Sequence, residues 1–286
     1  MQKFLTICTP TFNRAFILSK LYDSLKKQTN QNFLWLIIDD GSSDETEALV
    51  QKFMDENHLE IQYIFQENQG KHVAVNNGLR NTETDYFCVI DSDDYLSEVA
   101  VSEMEKLSLK IKNDESIAAF TFIHYSGKEE PDFNRFGKKE WVVSGRSNYK
   151  WEFSGEMVFC FKTEIHKKFL FPEFPGEKFC QESLIFRRIE RRYKILFTDK
   201  IMAFGDYLPD GLTKNFYKML LNNPNGALLN IKERLRYDRV SSDEKLDLAK
   251  TYLDIAGKSN QSFWKKYFGL NPFLILKVLI EKRFRK

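Results

Sequence analysis

The apolar run Tyr86-Phe87-Cys88-Val89-Ile90 is followed at once by Asp91-Ser92-Asp93-Asp94. Two carboxylates two residues apart at a strand end can both face one cation. A hard divalent ion, Mg2+ or Mn2+, prefers such oxygen ligands and completes its shell with phosphate oxygens. There it would neutralise a diphosphate and stabilise the charge that develops as that group leaves. The plainer alternative is an acidic turn that caps the next helix. The setting favours the cation, because a second acidic cluster, Asp39-Asp40-Gly41-Ser42, follows another apolar run in the same way. A carboxylate there can hydrogen-bond a base or ribose edge, and Gly41 permits close backbone approach.

Placing these groups requires a particular order of elements. Residues 4–8, 34–38, 61–65, 86–90 and 117–124 are short apolar runs. Residues 15–28, the stretch after Ser43 or Asp44, and residues 72–80 and 98–112 have helical spacing or helix-start signals. The first strand is expected to close at Pro10. Strands alternating with helices predict βαβ units, an α/β fold with a mostly parallel sheet and flanking helices. In such sheets ligands bind beyond the carboxyl ends of the strands. The polar clusters 9–14, 39–44, 66–72 and 91–94 each follow a strand, so four loaded segments converge on one edge. Residues 125–180 are less regular, and 226–239, 243–256 and 262–282 read as helices. The expected division is 1–212, comprising a nucleotide-binding half 1–125 and an acceptor-side half 126–212, followed by a helical region 213–286.

With 42% hydrophobic and 15% aromatic residues, 26 of them Phe, the chain has material for a core and is no disordered polymer. A net charge of +2 gives no global case for nucleic-acid binding. Cys8, Cys88, Cys160 and Cys180 form no CxxC pair or zinc-spaced cluster, so a reducing compartment is expected. The opening MQKFLTICTP reads as a strand rather than a signal peptide, and no apolar run reaches spanning length. These features predict a cytoplasmic protein, with the inner membrane face as a further option. His58, His72, His124 and His166 do not cluster; His72 adjoins Lys71 and could touch phosphate, while the others read as surface or packing residues.

Six segments carry a family resemblance: Thr9-Pro10-Thr11-Phe12-Asn13-Arg14, Gln28-Thr29, Ile37-Ile38-Asp39-Asp40-Gly41-Ser42, Asn68-Gln69-Gly70-Lys71, Asn76-Asn77-Gly78 and Asp91-Ser92-Asp93-Asp94. Their order and spacing resemble the family-2 inverting glycosyltransferases over residues 3–125. The resemblance implies a GT-A fold. It implies transfer of a hexose from a nucleotide-sugar, most often a UDP-sugar, to a hydroxyl of a glycan, glycoprotein or lipid-linked acceptor, with inversion and with Mn2+ or Mg2+. Bacterial surface-polysaccharide assembly is the setting it suggests. By the same resemblance Pro10, Phe12 and Asp40 hold the nucleoside. Lys71 and Asn76 belong to the nucleotide pocket, and Asp91, Ser92 and Asp93 handle ribose and metal-diphosphate, with Asp91 and Asp93 as metal ligands. Asp94 is a third acidic member. No Walker-type glycine loop is needed when metal and side chains hold the diphosphate.

Inverting transfer needs a base to take the acceptor's proton. The family places a Glu-Asp pair at the start of a helix beyond residue 150. The matching segment here is 176–186, where Glu182 is followed by Ser183 instead of Asp. Glu182 is the expected base and Glu177 the next candidate; the plain alternative for Glu182 is a first-turn acid favoured by the helix dipole. Ser183 also supports a rival reading, a catalytically weakened GT-A interaction module in a glycan-assembly complex. A later segment, Asp206 to Thr213, is similar to bacterial members and would order a loop near the diphosphate. In 262–286, aromatics and aliphatics interleave with Lys and Arg. That pattern suits either a peripheral helix on an anionic membrane or a packed helix at a homo-oligomer interface.

Overall fold

The computed structural model describes residues 3–127, 140–144, 156–205, 216–237, 240–259, 262, 266–267 and 269–284. The segment 206–213 singled out above lies outside these residues, as do parts of 125–180 and of 262–286. By contacts between Cα atoms the chain divides into two units. The first is Met1–Phe171 with Ile185–Pro209, and the second is Pro172–Leu184 with Asp210–Lys286.

The first unit holds the sheet. Its elements run β1 (Leu5–Thr11), α1 (Leu18–Lys26), β2 (Phe33–Asp39), α2 (Thr46–Asp55), β3 (Ile61–Phe65), α3 (Lys71–Arg80), β4 (Tyr86–Val89), β5 (Asp94–Leu96), α4 (Ala100–Ile111), β6 (Ile117–Tyr125), β7 (Glu140–Ser144), β8 (Glu156–Lys162) and α5 (Thr163–His166). After α6 (Glu182–Glu190), which crosses the division, come β9 (Lys194–Thr198) and β10 (Ile201–Gly205). The strand order is β3-β2-β1-β4-β8-β6-β10-β5, with β9 pairing β6 and β7. Strands β3, β2, β1 and β4 are mutually parallel, while β8 runs antiparallel between β4 and β6. The register sets Thr11 beside Asp39, and Asp39 beside Phe65, so the loops after β1, β2 and β3 leave from one edge.

Strand β1 runs one residue past Pro10, where the sequence suggested an end. Cys8 accepts from Ile90 on the β4 side, and alternate residues face the same neighbour, so the nitrogen of Pro10 also faces that side. The β1–β4 pairing stops at Cys8 and Val89, so the missing N–H breaks no ladder bond.

The faces of β1 and β2 alternate with period two. Ile7, Trp35 and Ile37 join the core with Leu18, Leu21 and Leu25 of α1 and Phe53 of α2, and Tyr22 stacks on Phe53 with centroids 3.9 Å apart. Each such side chain, fully buried, contributes about 1.5–3 kcal/mol. On the opposite face lies α3. A Cβ at Gly78 would stand 2.6 Å from the Cys8 sulfur, so this residue of the Asn76-Asn77-Gly78 segment is fixed by helix-on-strand approach. None of the four cysteines forms a disulfide, and all are buried.

The second unit contains 172–184 and the helices α7 (Phe216–Asn222), α8 (Pro224–Leu235), α9 (Ser242–Lys258) and α10 (Pro272–Phe284). Ser241 caps α9 by accepting from the Glu244 backbone. A small core of Leu220, Leu228, Ile231, Tyr252 and Ile255 joins the first three of these helices. Among the described residues no helix is long and apolar enough to cross a membrane.

Candidate functional site

The two acidic clusters do different jobs. Asp39, fully buried, accepts from the Ser42 backbone and the Tyr63 hydroxyl, each at 2.8 Å, and holds its own turn. Asp40 accepts from the backbone of Gln69 at 2.8 Å and of Gly70 at 2.7 Å, and from the Gln66 amide at 2.8 Å. Its carbonyl takes the Asn68 amide at 2.8 Å. Asp40 thus ties the end of β2 to the loop that leads into α3. Gly41 has φ 82° and a Cβ there would sit 2.8 Å from the Asn68 nitrogen, so only glycine suits this crossing.

That loop delivers Lys71, the first residue of α3. Its ammonium lies 2.7 Å and 2.8 Å from the two carboxylate oxygens of Asp91. Both partners are partly open to solvent, at 32% and 44% side-chain exposure, so ligand can reach them. Asp93 is part-buried. Burial, then the charge of Asp91, raises its pKa above the ordinary carboxylate value against the pull of Arg14 and Lys71. Ser92 between them is buried.

Asp94 turns away into the sheet. It opens β5, pairs with Gly205 of β10, and meets His124 Nε2 at 2.8 Å. A Cβ on Gly205 would lie 2.1 Å from the Asp94 oxygen, so glycine makes the space for this pair. Burial raises the pKa of Asp94, and the His124 hydrogen bond opposes the rise. Neither this role of His124 nor that of Gly205 was legible from sequence, because they reach Asp94 from two different strands, β6 and β10, 30 and 111 (205 − 94) residues further along the chain.

The 9–14 segment is stitched to the 42–46 loop. Asn13, at φ 52°, accepts from the Ser43 backbone at 2.8 Å and donates its own N–H to the Ser42 hydroxyl at 2.8 Å. Phe12 is left 45% exposed at the same edge, while Pro10 is buried in β1. Phe12, Asp40, Lys71, Asp91 and Asp93 therefore come together at the carboxyl edge of the sheet. Asn76 does not: it is fully buried, and its amide both donates to and accepts from the Phe171 backbone, at 3.0 and 2.9 Å. His72, expected beside Lys71 within reach of phosphate, is buried edge-on to Phe171.

Residues 6–172, more than half of the chain, match Glycosyl transferase family 2. The chain belongs to this family. It is 28% identical over 232 residues to the GalNAc(5)-diNAcBac-PP-undecaprenol beta-1,3-glucosyltransferase of Campylobacter jejuni, covering 76% of this chain and 71% of that one. Glycosyltransferase GlyA of Streptococcus pneumoniae is 31% identical over 116 residues, 41% of this chain, which spans only 16% of that relative's length. Among solved structures, S. aureus TarS in complex with UDP superposes with a TM-score of 0.60 at 17% identity, covering 98% of this chain and 87% of that chain. The mannosyltransferase PcManGT from Pyrobaculum calidifontis, in complex with GDP-Man and Mn2+, also gives 0.60 at 16% identity, covering 100% of this chain and 76% of that chain. This family-2 glycosyltransferase has the GT-A fold.

Of the base candidates, Glu182 opens α6 and is exposed. Glu177 is 8% exposed and holds the start of α8: it accepts from the Asn225 backbone at 2.6 Å, the Asn225 amide at 2.7 Å and the Gly226 backbone at 2.9 Å. Asn223 answers by accepting from the backbones of Lys178 and Phe179 at 2.6 and 3.0 Å. Glu177 is a clasp.

The acidic edge suits a divalent ion with phosphate. Among the described residues no three His, Cys, Asp or Glu side chains form a ready-made cage. Asp91 and Asp93 supply two carboxylates, one paired with the Lys71 ammonium and the other with its pKa raised by burial and then by the charge of Asp91. An ion there would complete its shell with phosphate oxygens and water, as Mg2+ and Mn2+ commonly do.

Proposed function

We propose that this glycosyltransferase takes a nucleoside-diphosphate sugar, a UDP-sugar by preference, and transfers the hexose with inversion to a hydroxyl of a glycan, glycoprotein or lipid-linked acceptor. The observation that carries the reading is the Lys71–Asp91 pair beside Asp93, set at the strand edge by the Asp40 loop. In this reading Asp40 and Phe12 receive the nucleoside, and Lys71 turns from Asp91 toward the donor's phosphate. Asp91 and Asp93 would hold Mn2+ or Mg2+, which supplies charge neutralisation for the leaving diphosphate. Glu182 takes the proton from the attacking hydroxyl. The TarS and PcManGT complexes with UDP and with GDP-Man and Mn2+ support the donor class. The lipid-linked substrate named for the Campylobacter relative supports the acceptor class.

The test is turnover of nucleotide-sugars with Mn2+. Asp93→Asn should lower the rate on the order of 10²–10³-fold, the usual loss when a stabiliser of transition-state charge is removed, while the fold survives by circular dichroism. EDTA should do the same to the unaltered chain; full transfer in EDTA refutes the metal role. Ser183 after Glu182 favours a second reading, a module that binds donor without turnover. Donor-induced thermal stabilisation with no transfer or hydrolysis would select it.

A further inference from the structure

The second unit contains a site that the donor reading does not use and on which it does not depend. Lys232 near the end of α8, Arg236 just after it and Lys245 on α9 line a cavity of about 210 Å³. Its remaining wall is Leu235, Gly269, Leu270, Asn271, Leu274 and Ile275. Nearby carboxylates are engaged elsewhere, Glu244 with Arg234 and Glu281 with Lys250. No ion pair among the described residues includes Lys232, Arg236 or Lys245. Burial, then the charge of Arg236, lowers the Lys232 pKa, so an anion in the cavity would relieve both cations. Gly269 at φ 76° leaves room for the Arg236 guanidinium, whose Nη2 a Cβ would approach to 2.7 Å. At this volume the cavity falls below the roughly 300–1,000 Å³ of pockets that enclose a whole drug-sized ligand. It suits a phosphate headgroup whose apolar part stays outside.

The helix beside it offers a surface for that apolar part. Two of the cavity's wall residues, Leu274 and Ile275, lie in the first turns of α10 and, with the fully buried Val278, face α9 through Ala249 and Leu253. Four large apolar side chains of the helix are open: Phe273 is 80% exposed, Leu276 55%, Leu279 52% and Ile280 48%. Phe273, Leu276 and Ile280 fall at i, i+3 and i+7, one stripe of a helix. Lys277 is exposed on α10 too, and the sequence closes with Lys282-Arg283-Phe284-Arg285-Lys286. With 13 residues the helix is about 20 Å long, short of the ~30 Å hydrocarbon layer, so it can lie on a bilayer but not cross it. A second copy meeting this face about a two-fold axis would bring like cations together. An anionic lipid surface neutralises them.

We propose that α10 lies in the interface of an anionic bilayer, with Phe273, Leu276, Leu279 and Ile280 among the acyl chains and the Lys232–Arg236–Lys245 cavity holding a lipid phosphate headgroup. Each cation near an anionic surface is worth about fivefold in partitioning. The full chain should sediment with phosphatidylcholine vesicles that contain phosphatidylglycerol, and far less with phosphatidylcholine alone. Replacing Lys232, Arg236 and Lys245 together by Gln should weaken that binding on the order of 100-fold. Replacing the two lysines by Arg should retain it. Phe273→Ser with Leu276→Ser should also release the chain, with its melting temperature unchanged because both side chains are exposed. Equal binding to neutral vesicles, or unchanged binding by the triple Gln variant, overturns the proposal. So does a chain that is dimeric without lipid and becomes monomeric in the Phe273→Ser, Leu276→Ser variant, which would assign the face to a second copy.

Discussion

Asp40 and Glu177 perform the same local task at different places. Each is a buried carboxylate that collects two backbone N–H groups where a chain segment enters a helix, Gln69 and Gly70 before α3, Asn225 and Gly226 in α8. Helix starts leave such donors without partners, and a carboxylate there also suits the helix dipole. The Asp40 place was legible from sequence because it falls at a strand end within a recognisable segment. The tasks of Glu177 and Asn76 were not, since their partners lie 48 and 95 residues away and nothing local announces them. His166 is a third case. It is buried against Phe87 and Phe161, and burial alone presses its pKa down to about 3. In the unfolded chain it would take up a proton near pH 6.5. Between that pH and about 3 the unfolded state binds the extra proton, so stability falls as pH falls, on the order of 1 kcal/mol per pH unit. His166→Leu removes this contribution. Its melting temperature should therefore overtake that of the unaltered protein as pH drops from 7 to 4.5, and parallel curves would disprove the assignment.

At the scale of elements, strands β1, β2, β4 and β6 show as apolar runs because they are buried inside the sheet, whereas β3 is a part-buried edge strand. Their carboxyl edge is consequently where the sequence placed it. Strand β5 is only Asp94–Leu96 and sits inside what looks like an acidic helix cap, so its pairing with β10 is set by tertiary contact. Strand β8 is apolar enough, but its antiparallel insertion between β4 and β6 has no local signature. The start of α6 and the clasp on α8 separate two variants that the sequence ranked together as base candidates. Glu182→Gln should lower kcat about 10²–10⁴-fold with donor affinity nearly unchanged. Glu177→Gln cannot accept from all three of its donors, so it should cost about 1–3 kcal/mol of stability, read as a lower melting temperature, while kcat at a permissive temperature stays near normal. A crippled kcat in folded Glu177→Gln would reverse these assignments.

Across the whole molecule, the stretch 172–184 belongs by contacts with the C-terminal helices, although a long run of sheet strands precedes and follows it. No composition shift marks that exchange, which is why the sequence reading kept 172–184 inside the half 126–212. The sheet itself is not separable at residue 125 either. Strand β6 has β8 on one side and β9 and β10 on the other, all later in the chain, and does not pair with β4. A fragment 1–125 is therefore expected to melt without a cooperative transition. A sharp thermal transition with native near-ultraviolet circular dichroism in that fragment would contradict this. The same strand order sets a timetable for synthesis. Strands β1 to β4 can pair as soon as Val89 has left the ribosome, but β6, complete at Tyr125, waits for β8 to end at Lys162. At ~5–20 residues per second the nascent chain spends a few seconds with the edge of β4 open and β6 unpaired. Unpaired edges of that kind invite wrong partners. For those seconds the growing protein depends on dilution or a chaperone, more than on its own stability, to reach the fold.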